Sequence, residues 1–232
     1  MKFTEKLIKG KLIKRYKRFF LDVKLSKEIV TAHCPNTGSM LGLLDKNNEV
    51  YLLKNNNPKR KLKYGLEIIK AHNKLVGVNT YLANKIVNYG LTNNLINELK
   101  DNDIIKPEVF FNKETRFDFL IEKNDKKSFI EVKNVTLFRD NKIAEFPDAI
   151  TTRGSKHLVA LIDAIKKGYK SYLIFLVQIQ KMEKFRIAKD IDYEYYKNYL
   201  KAKKAGVNFL AYRCKINSKE ILIDKRIKII DD

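Results

Sequence analysis

Thr115–Leu137, TRFDFLIEKNDKKSFIEVKNVTL, reads as two strands joined by a polar turn. Both strands are largely apolar, yet Asp118, Glu131 and Lys133 stand inside them. Side chains alternate along a strand, so in FIEVKNV Ile130 and Val132 point one way and Glu131 and Lys133 the other. Asp118 lies between Phe117 and Phe119 and is expected to turn away from their apolar side. The hairpin then sets Asp118 near Glu131. An acid on one strand with Glu-x-Lys on the next is the donor pattern a Mg²⁺ or Mn²⁺ nuclease needs. The two carboxylates supply hard oxygen ligands, and the backbone carbonyl of Val132 can supply a third. A metal held there acidifies a bound water and neutralises charge on a phosphate. Lys133 positions that water or stabilises the pentacovalent transition state. Asp118, Glu131 and Lys133 are thus the catalytic candidates. The bland alternative is a solvated face with a cross-strand Glu–Lys pair, worth only about 0.2–1 kcal/mol.

A further acid often completes such a metal site. Glu98, near a helix end, and Glu108, beginning a strand, are the candidates. Glu108 is preferred because its strand adjoins the hairpin in sequence. Downstream, FPDAITTRGSKHL brings Arg153, Lys156 and His157 to the start of a helical stripe formed by Leu158, Leu161, Ile162 and Ile165. Free N–H groups at a helix N-terminus, with cations nearby, bind phosphate. The alternative is that Thr151 or Thr152 only caps the helix and the charges are solvated. His157 is either a general acid or a polar contact. Gln178, inside the apolar run SYLIFLVQIQ, must find a partner if buried and could face the same cleft.

The first 80 residues read as short strands separated by the polar loops PNTGSM and KNNNPKRK, which suggests a small β-barrel or sandwich. The first strand is expected to carry Lys14, Arg15, Tyr16, Lys17, Arg18, Phe19 and Phe20. Cations interleaved with rings suit single-stranded nucleic acid, the rings stacking bases and the cations holding phosphates. At least one of Phe19 and Phe20 must instead pack the barrel. From residue 81 onward the period changes. A helical region covers Asn79 to Lys100, expected to be broken into two helices by Gly90 and the polar run TNN. Three strands, a helix over 151–168, the strand SYLIFLVQIQ, a helix ending at Gly206 and two last strands follow. That order predicts an α/β domain, residues 81–232, with a mixed sheet covered by helices.

The 232 residues carry 48 Lys and Arg against 27 Asp and Glu, a formal net charge of +21. Such an excess attracts polyanions (DNA, RNA or acidic membrane surfaces), and a nucleic-acid partner is the expected one. A lysine-rich solvated surface is the alternative source of the same count. No apolar run long enough to span a membrane is present, nor is an uninterrupted apolar stretch near the N-terminus. No membrane association and a cytoplasmic location are therefore expected. Cys34 and Cys214 read as buried thiols in a reducing compartment; without a CxxC or further ligands they make no zinc site.

The segments RYKRFFLDVKL, AHCPNTGSM, NPKRKLKY, RFDFLIE, IEVKNVTL, FPDAITTRGSKHL and AGVNFLAY run in this order through nearly the whole chain. With them the chain resembles the sugar fermentation stimulation protein A (SfsA) family. The resemblance implies an N-terminal OB-like β-barrel, a C-terminal domain similar to PD-(D/E)xK nucleases, and DNA binding. The nuclease signature maps onto Asp118, Glu131 and Lys133 without substitution, but Phe117 replaces the proline of the usual label. The family's association with sugar metabolism implies a regulatory alternative: a non-enzymatic DNA-binding protein on a nuclease-like scaffold. The loop Ala32–Met40 gives Gly38 a turn role and Asn36, Thr37 and Ser39 hydrogen-bonding roles; it either lines a cleft between the domains or only packs them.

Overall fold

A computed structural model describes residues 1–231. Six strands form the N-terminal unit: β1 (Ile8–Tyr16), β2 (Phe20–Lys24), β3 (Ile29–His33), β4 (Glu49–Lys54), β5 (Tyr64–Ala71) and β6 (Lys74–Gly77). They pair in the order β3-β2-β1-β4-β5-β6, and an extra β3–β5 pairing closes five of them into a barrel. Leu12, Leu21, Val23, Val50, Leu52 and Leu66 fill it, each fully buried. RYKRFFLDVKL is not one strand. It folds back at Lys17 and Arg18, whose positive φ (47° and 61°) makes the turn between β1 and β2. Lys17 and Arg18 therefore sit on a hairpin tip, a turn hidden in sequence because it uses neither Gly nor Asn.

Helix α1 (Tyr81–Thr92) opens the second unit. It runs through Gly90 and ends at Thr92, so the expected break falls in the polar run TNN, and a single 3-10 turn (Asn97–Leu99) follows it. This glycine serves close approach: a Cβ there would lie 2.5 Å from the Ile223 Cδ1. Strands β7 (Ile104–Phe110), β8 (Arg116–Lys123), β9 (Lys126–Val135) and β10 (Ile143–Phe146) follow, then α2 (Thr152–Lys166), β11 (Lys170–Val177) and β12 (Lys184–Ile187). Helix α3 (Tyr193–Lys204) precedes β13 (Asn208–Ile216), β14 (Ile221–Arg226) and β15 (Lys228–Ile229). The main sheet has the order β14-β13-β11-β9-β8-β7, with β9, β11 and β13 parallel and the outer pairs antiparallel. A small parallel sheet, β10-β12-β15, was not foreseen. Its strands are short, and β10 carries a fully buried acid, Glu145, bound by Arg139 (2.8 Å) and Arg186 (2.9 Å).

Helix α1 covers one face of the main sheet through Leu82, Ile86, Val87 and Leu91, against Phe119, Ile130, Val132 and Ile174. Helices α2 and α3 cover the other, where Leu158, Leu161 and Tyr199 join Phe117, Phe129 and Phe175. The barrel core is continuous with this second cluster, so the two units share apolar packing. Strand β6 extends the contact: the Gly77 N–H donates to the Gln178 carbonyl (2.8 Å). Gln178 thus lies at the junction of the units, its Nε2 donating to Asn134 Oδ1 (2.6 Å). No helix among the described residues is long and apolar enough to cross a membrane.

Candidate metal and phosphate site

The hairpin forms as expected. Asn124 and Asp125, both with positive φ, make the two-residue turn between Lys123 and Lys126, the backbone form that matches strand twist. From there β8 and β9 pair as far as Phe119 and Ile130, and the ladder stops. In its place the Asp118 carboxylate accepts the Val132 N–H through Oδ2 (2.7 Å). Glu108 lies across from Asp118 in the β7–β8 register and takes a φ of 54°. Both strands change face at this rung. Phe119 and Ile105 pack on the α1 side, whereas Phe117 and Val109 pack on the α2 side. Phe117 and Phe119 therefore do not share a face as strict alternation required. The interrupted ladder leaves Asp118 between them, spanning a split in the sheet.

Glu131 obeys the alternation and points toward α2. It is 3% exposed. Its Oε1 receives the Lys133 ammonium at 2.7 Å and also contacts the His157 Nδ1 on α2. Its Oε2 is buried without a hydrogen-bond partner. Burial pushes the Glu131 carboxyl up, but Lys133 and His157 outweigh it and the net direction is down. Asp118 goes the other way, to about 6, raised by burial first and by the Glu131 charge second; the Val132 N–H and the Asn84 amide oppose this. Two coupled carboxylates shifted in opposite directions mark a candidate functional site.

Asn84 of α1 is the residue that sequence reasoning missed here. Its Nδ2 donates to Asp118 Oδ1 at 2.7 Å and reaches Glu108 Oε1 at 3.4 Å. The signal was available: Tyr81, Asn84, Lys85 and Asn88 recur at helical spacing on the face opposite Leu82 and Ile86. Glu108 itself is half exposed and paired with Arg116 at 2.8 Å. Glu98 is elsewhere, bound by the Tyr212 hydroxyl at 2.5 Å and by Arg226. Among the described residues no three His, Cys, Asp or Glu side chains form a ready metal cluster.

The loop Ala32–Met40 reaches over both sides of this split. The Thr80 hydroxyl before α1 donates to the Pro35 carbonyl (2.9 Å), and the Met40 N–H donates to Asp148 Oδ2 (2.9 Å) ahead of α2. Asn36 Oδ1 accepts the Gly38 N–H (2.8 Å) and Ser39 Oγ accepts the Leu41 N–H (3.1 Å), as their residue types suggested. Gly38 allows a close approach: a Cβ would sit 3.0 Å from Asn36 Oδ1 and 3.2 Å from the Asp148 carboxylate, so a larger residue would push these side chains back by a few tenths of an ångström.

Two family descriptions match this chain: "SfsA N-terminal OB domain" over residues 13–78 and "Sugar fermentation stimulation protein RE domain" over residues 81–220. The chain belongs to the SfsA family. A "Sugar fermentation stimulation protein homolog" of Pelagibacter ubique is 74% identical, with all of both chains covered. One from Maricaulis maris is 41% identical over 99% of this chain and 98% of its own. The solved structure described as "The structure of Pyrococcus Furiosus SfsA in complex with Ca2+" superposes with a TM-score of 0.90 at 25% identity, covering 100% of this chain and 98% of that one. The SfsA architecture, an OB barrel followed by a mixed α/β sheet, is thus the fold of this chain.

Within this SfsA chain the expected nucleic-acid residues fall into different settings. Arg15 donates to the carbonyls of Arg18 (2.9 Å), Asn36 (2.8 Å) and Gly38 (2.9 Å), bracing the loop from behind. Lys14 lies over the Tyr16 ring, and the Tyr16 hydroxyl is held by Asp22 (3.2 Å). Lys17 and Arg18 are exposed on the hairpin tip. On α2, Arg153 and Lys156 are exposed, and the Arg153 Nε reaches the His157 Nε2 at 3.4 Å. Thr151 caps that helix, its hydroxyl oxygen accepting the Gly154 N–H (3.1 Å).

Proposed function

We propose that this chain is a divalent-metal-dependent phosphodiesterase acting on nucleic acid, DNA first and RNA second. The observation that carries the reading is Glu131. One of its oxygens is held by Lys133 and His157, the other is buried and partnerless, and the Glu131 charge helps to raise the Asp118 carboxyl. An anionic oxygen left bare in the interior is costly unless something positive completes it. Asp118 and Glu131, with the Val132 carbonyl, fit a hard cation that takes its remaining oxygens from water and substrate. The Pyrococcus furiosus relative described in complex with Ca²⁺ supports a hard cation in this family.

Mg²⁺ or Mn²⁺ bound there would supply an acidified water and neutralise phosphate charge. The chain's own residues do the rest. Asn84 and the Val132 N–H fix the two oxygens of Asp118. Lys133, 13% exposed at its side chain, holds a positive charge beside the reacting phosphate in a site partly shielded from water. His157 keeps Glu131 oriented, and the start of α2 offers N–H groups, Arg153 and Lys156 to a flanking phosphate.

A second reading is a DNA-binding regulator without catalysis. It is favoured by the contacts of Lys133 and His157 on Glu131, which neutralise that carboxylate from within the protein. The experiment that separates the two is cleavage of labelled single-stranded, duplex and branched DNA and single-stranded RNA, with Mg²⁺, Mn²⁺ or EDTA. Metal-dependent cutting supports the phosphodiesterase; binding to these substrates with no cutting in either metal supports the regulator.

A further inference from the structure

Two clefts meet on the exposed side of α1. One, of about 420 Å³, runs from Asp118, Glu108 and Pro107 to Thr80 and Asn84. The other, of about 720 Å³, lies between α1 and the barrel and is walled by His33, Arg60, Lys61, Glu67 and Asn79. Tyr81 and Lys85 line both. They stand four residues apart on α1, one above the other, and Tyr81 is 69% exposed. We propose that the two clefts are one groove for a single strand of nucleic acid, running from Asp118 across Tyr81 and Lys85 to Arg60 and Lys61 on the barrel. The placement of the scissile phosphate at Asp118 rests on the phosphodiesterase reading; the binding path does not.

The chemistry of the groove suits that occupant. Tyr81 offers a bare aromatic face, which a strand with unpaired bases can stack on and the interior of a duplex cannot. Lys85, Arg60 and Lys61 give cations along the path for phosphates. The acids on the way are muted. Both oxygens of Glu67 accept from the Asn79 amide (3.0 and 2.9 Å) and the residue is 5% exposed. Burial raises its carboxyl to about 7, so much of its charge is absent near neutral pH. Glu108 is paired with Arg116. Asp118, at the far end, is the acid that the proposed cation covers. The β1–β2 hairpin, by contrast, spends Arg15 on loop carbonyls and Tyr16 on Asp22.

The test is fluorescence anisotropy of labelled oligo(dT) with the full chain in EDTA, so that binding is read without cleavage. Tyr81→Ala should weaken binding by about 5- to 150-fold, the range for one lost base stack, and Tyr81→Phe should restore it. Arg60→Glu with Lys61→Glu should weaken binding and flatten its dependence on salt. Tyr193→Ala is the control: a comparably exposed tyrosine on α3, 62% exposed, whose ring is already covered by Lys197. Wild-type binding by Tyr81→Ala, or an equal loss in Tyr193→Ala, overturns the groove. Loss of binding in Tyr81→Ala by a chain that cuts nothing leaves the groove standing and removes the phosphodiesterase. Unchanged binding by Tyr81→Ala in a chain that cuts with Mg²⁺ does the reverse.

Discussion

Glu67→Gln should make the protein more stable, by an amount that grows as the pH rises from 4.5 to about 7 and then levels off. Glu67 lies on β5 with 5% of its surface exposed, and burial lifts its carboxyl from the ordinary 4.5 to about 7 against the pull of Asn79 and Lys85. A raised carboxyl binds its proton more tightly folded than unfolded. Its penalty is therefore absent below the unfolded value, grows between pH 4.5 and 7, and is complete above. The difference between 4.5 and about 7 is worth about 3 kcal/mol at pH 8.5 and under about 1 kcal/mol at pH 5. Gln keeps the shape and an acceptor oxygen for Asn79 but cannot ionise. Urea unfolding of both proteins at the two pH values reads the gap directly, and because Asp118 titrates in both, its contribution cancels. An equal gap at both pH values, or a less stable variant at pH 8.5, would refute the reasoning: the ionised carboxylate would then be favourably paired by Lys85 or Arg60.

Phe175→Ala should cost about 3–5 kcal/mol in urea unfolding, because the ring is fully buried and stacks on Phe185 at 4.2 Å between centroids. A loss under about 1 kcal/mol would mean that the two clusters around β11 collapse into the space. Asp148→Ala strips the acceptor from the Met40 N–H, in a residue 1% exposed. It should cost about 1–3 kcal/mol and speed amide exchange at Met40; unchanged exchange there would show that the loop does not depend on Asp148.

The parts of the site that sequence could reach were those governed by periodicity. Glu131, Lys133, Ile130 and Val132 sort by strand alternation, and the α2 stripe by helical spacing, so the hairpin and its helix were legible. What escaped was set by long-range events. The change of face at Asp118 depends on a carboxylate replacing a rung of the ladder, which alternation cannot express. The turn at Lys17 and Arg18 uses residues that seldom adopt positive φ. Asn84 meets Asp118 only because α1 packs across β8, and the same packing carries Tyr81 and Lys85 to the rim. Arg15 read as a phosphate ligand because its partners, the backbone carbonyls of Arg18, Asn36, Gly38 and Ser39, leave no mark in sequence. Glu145 and its two arginines lie 6 and 41 residues apart and form a cluster only after folding.

The most direct test of the central claim is to separate binding from chemistry at Lys133. Lys133→Ala would be compared with wild type and Asp118→Ala, first for anisotropy of labelled DNA in EDTA, then for cleavage of the same DNA in Mg²⁺ and Mn²⁺ with protein in excess. The account predicts metal-dependent cleavage by the wild type, lost by about 10²-fold or more in both variants, with single-strand binding retained. Undiminished cleavage in Asp118→Ala and Lys133→Ala would contradict it, because the hairpin would then hold no active site.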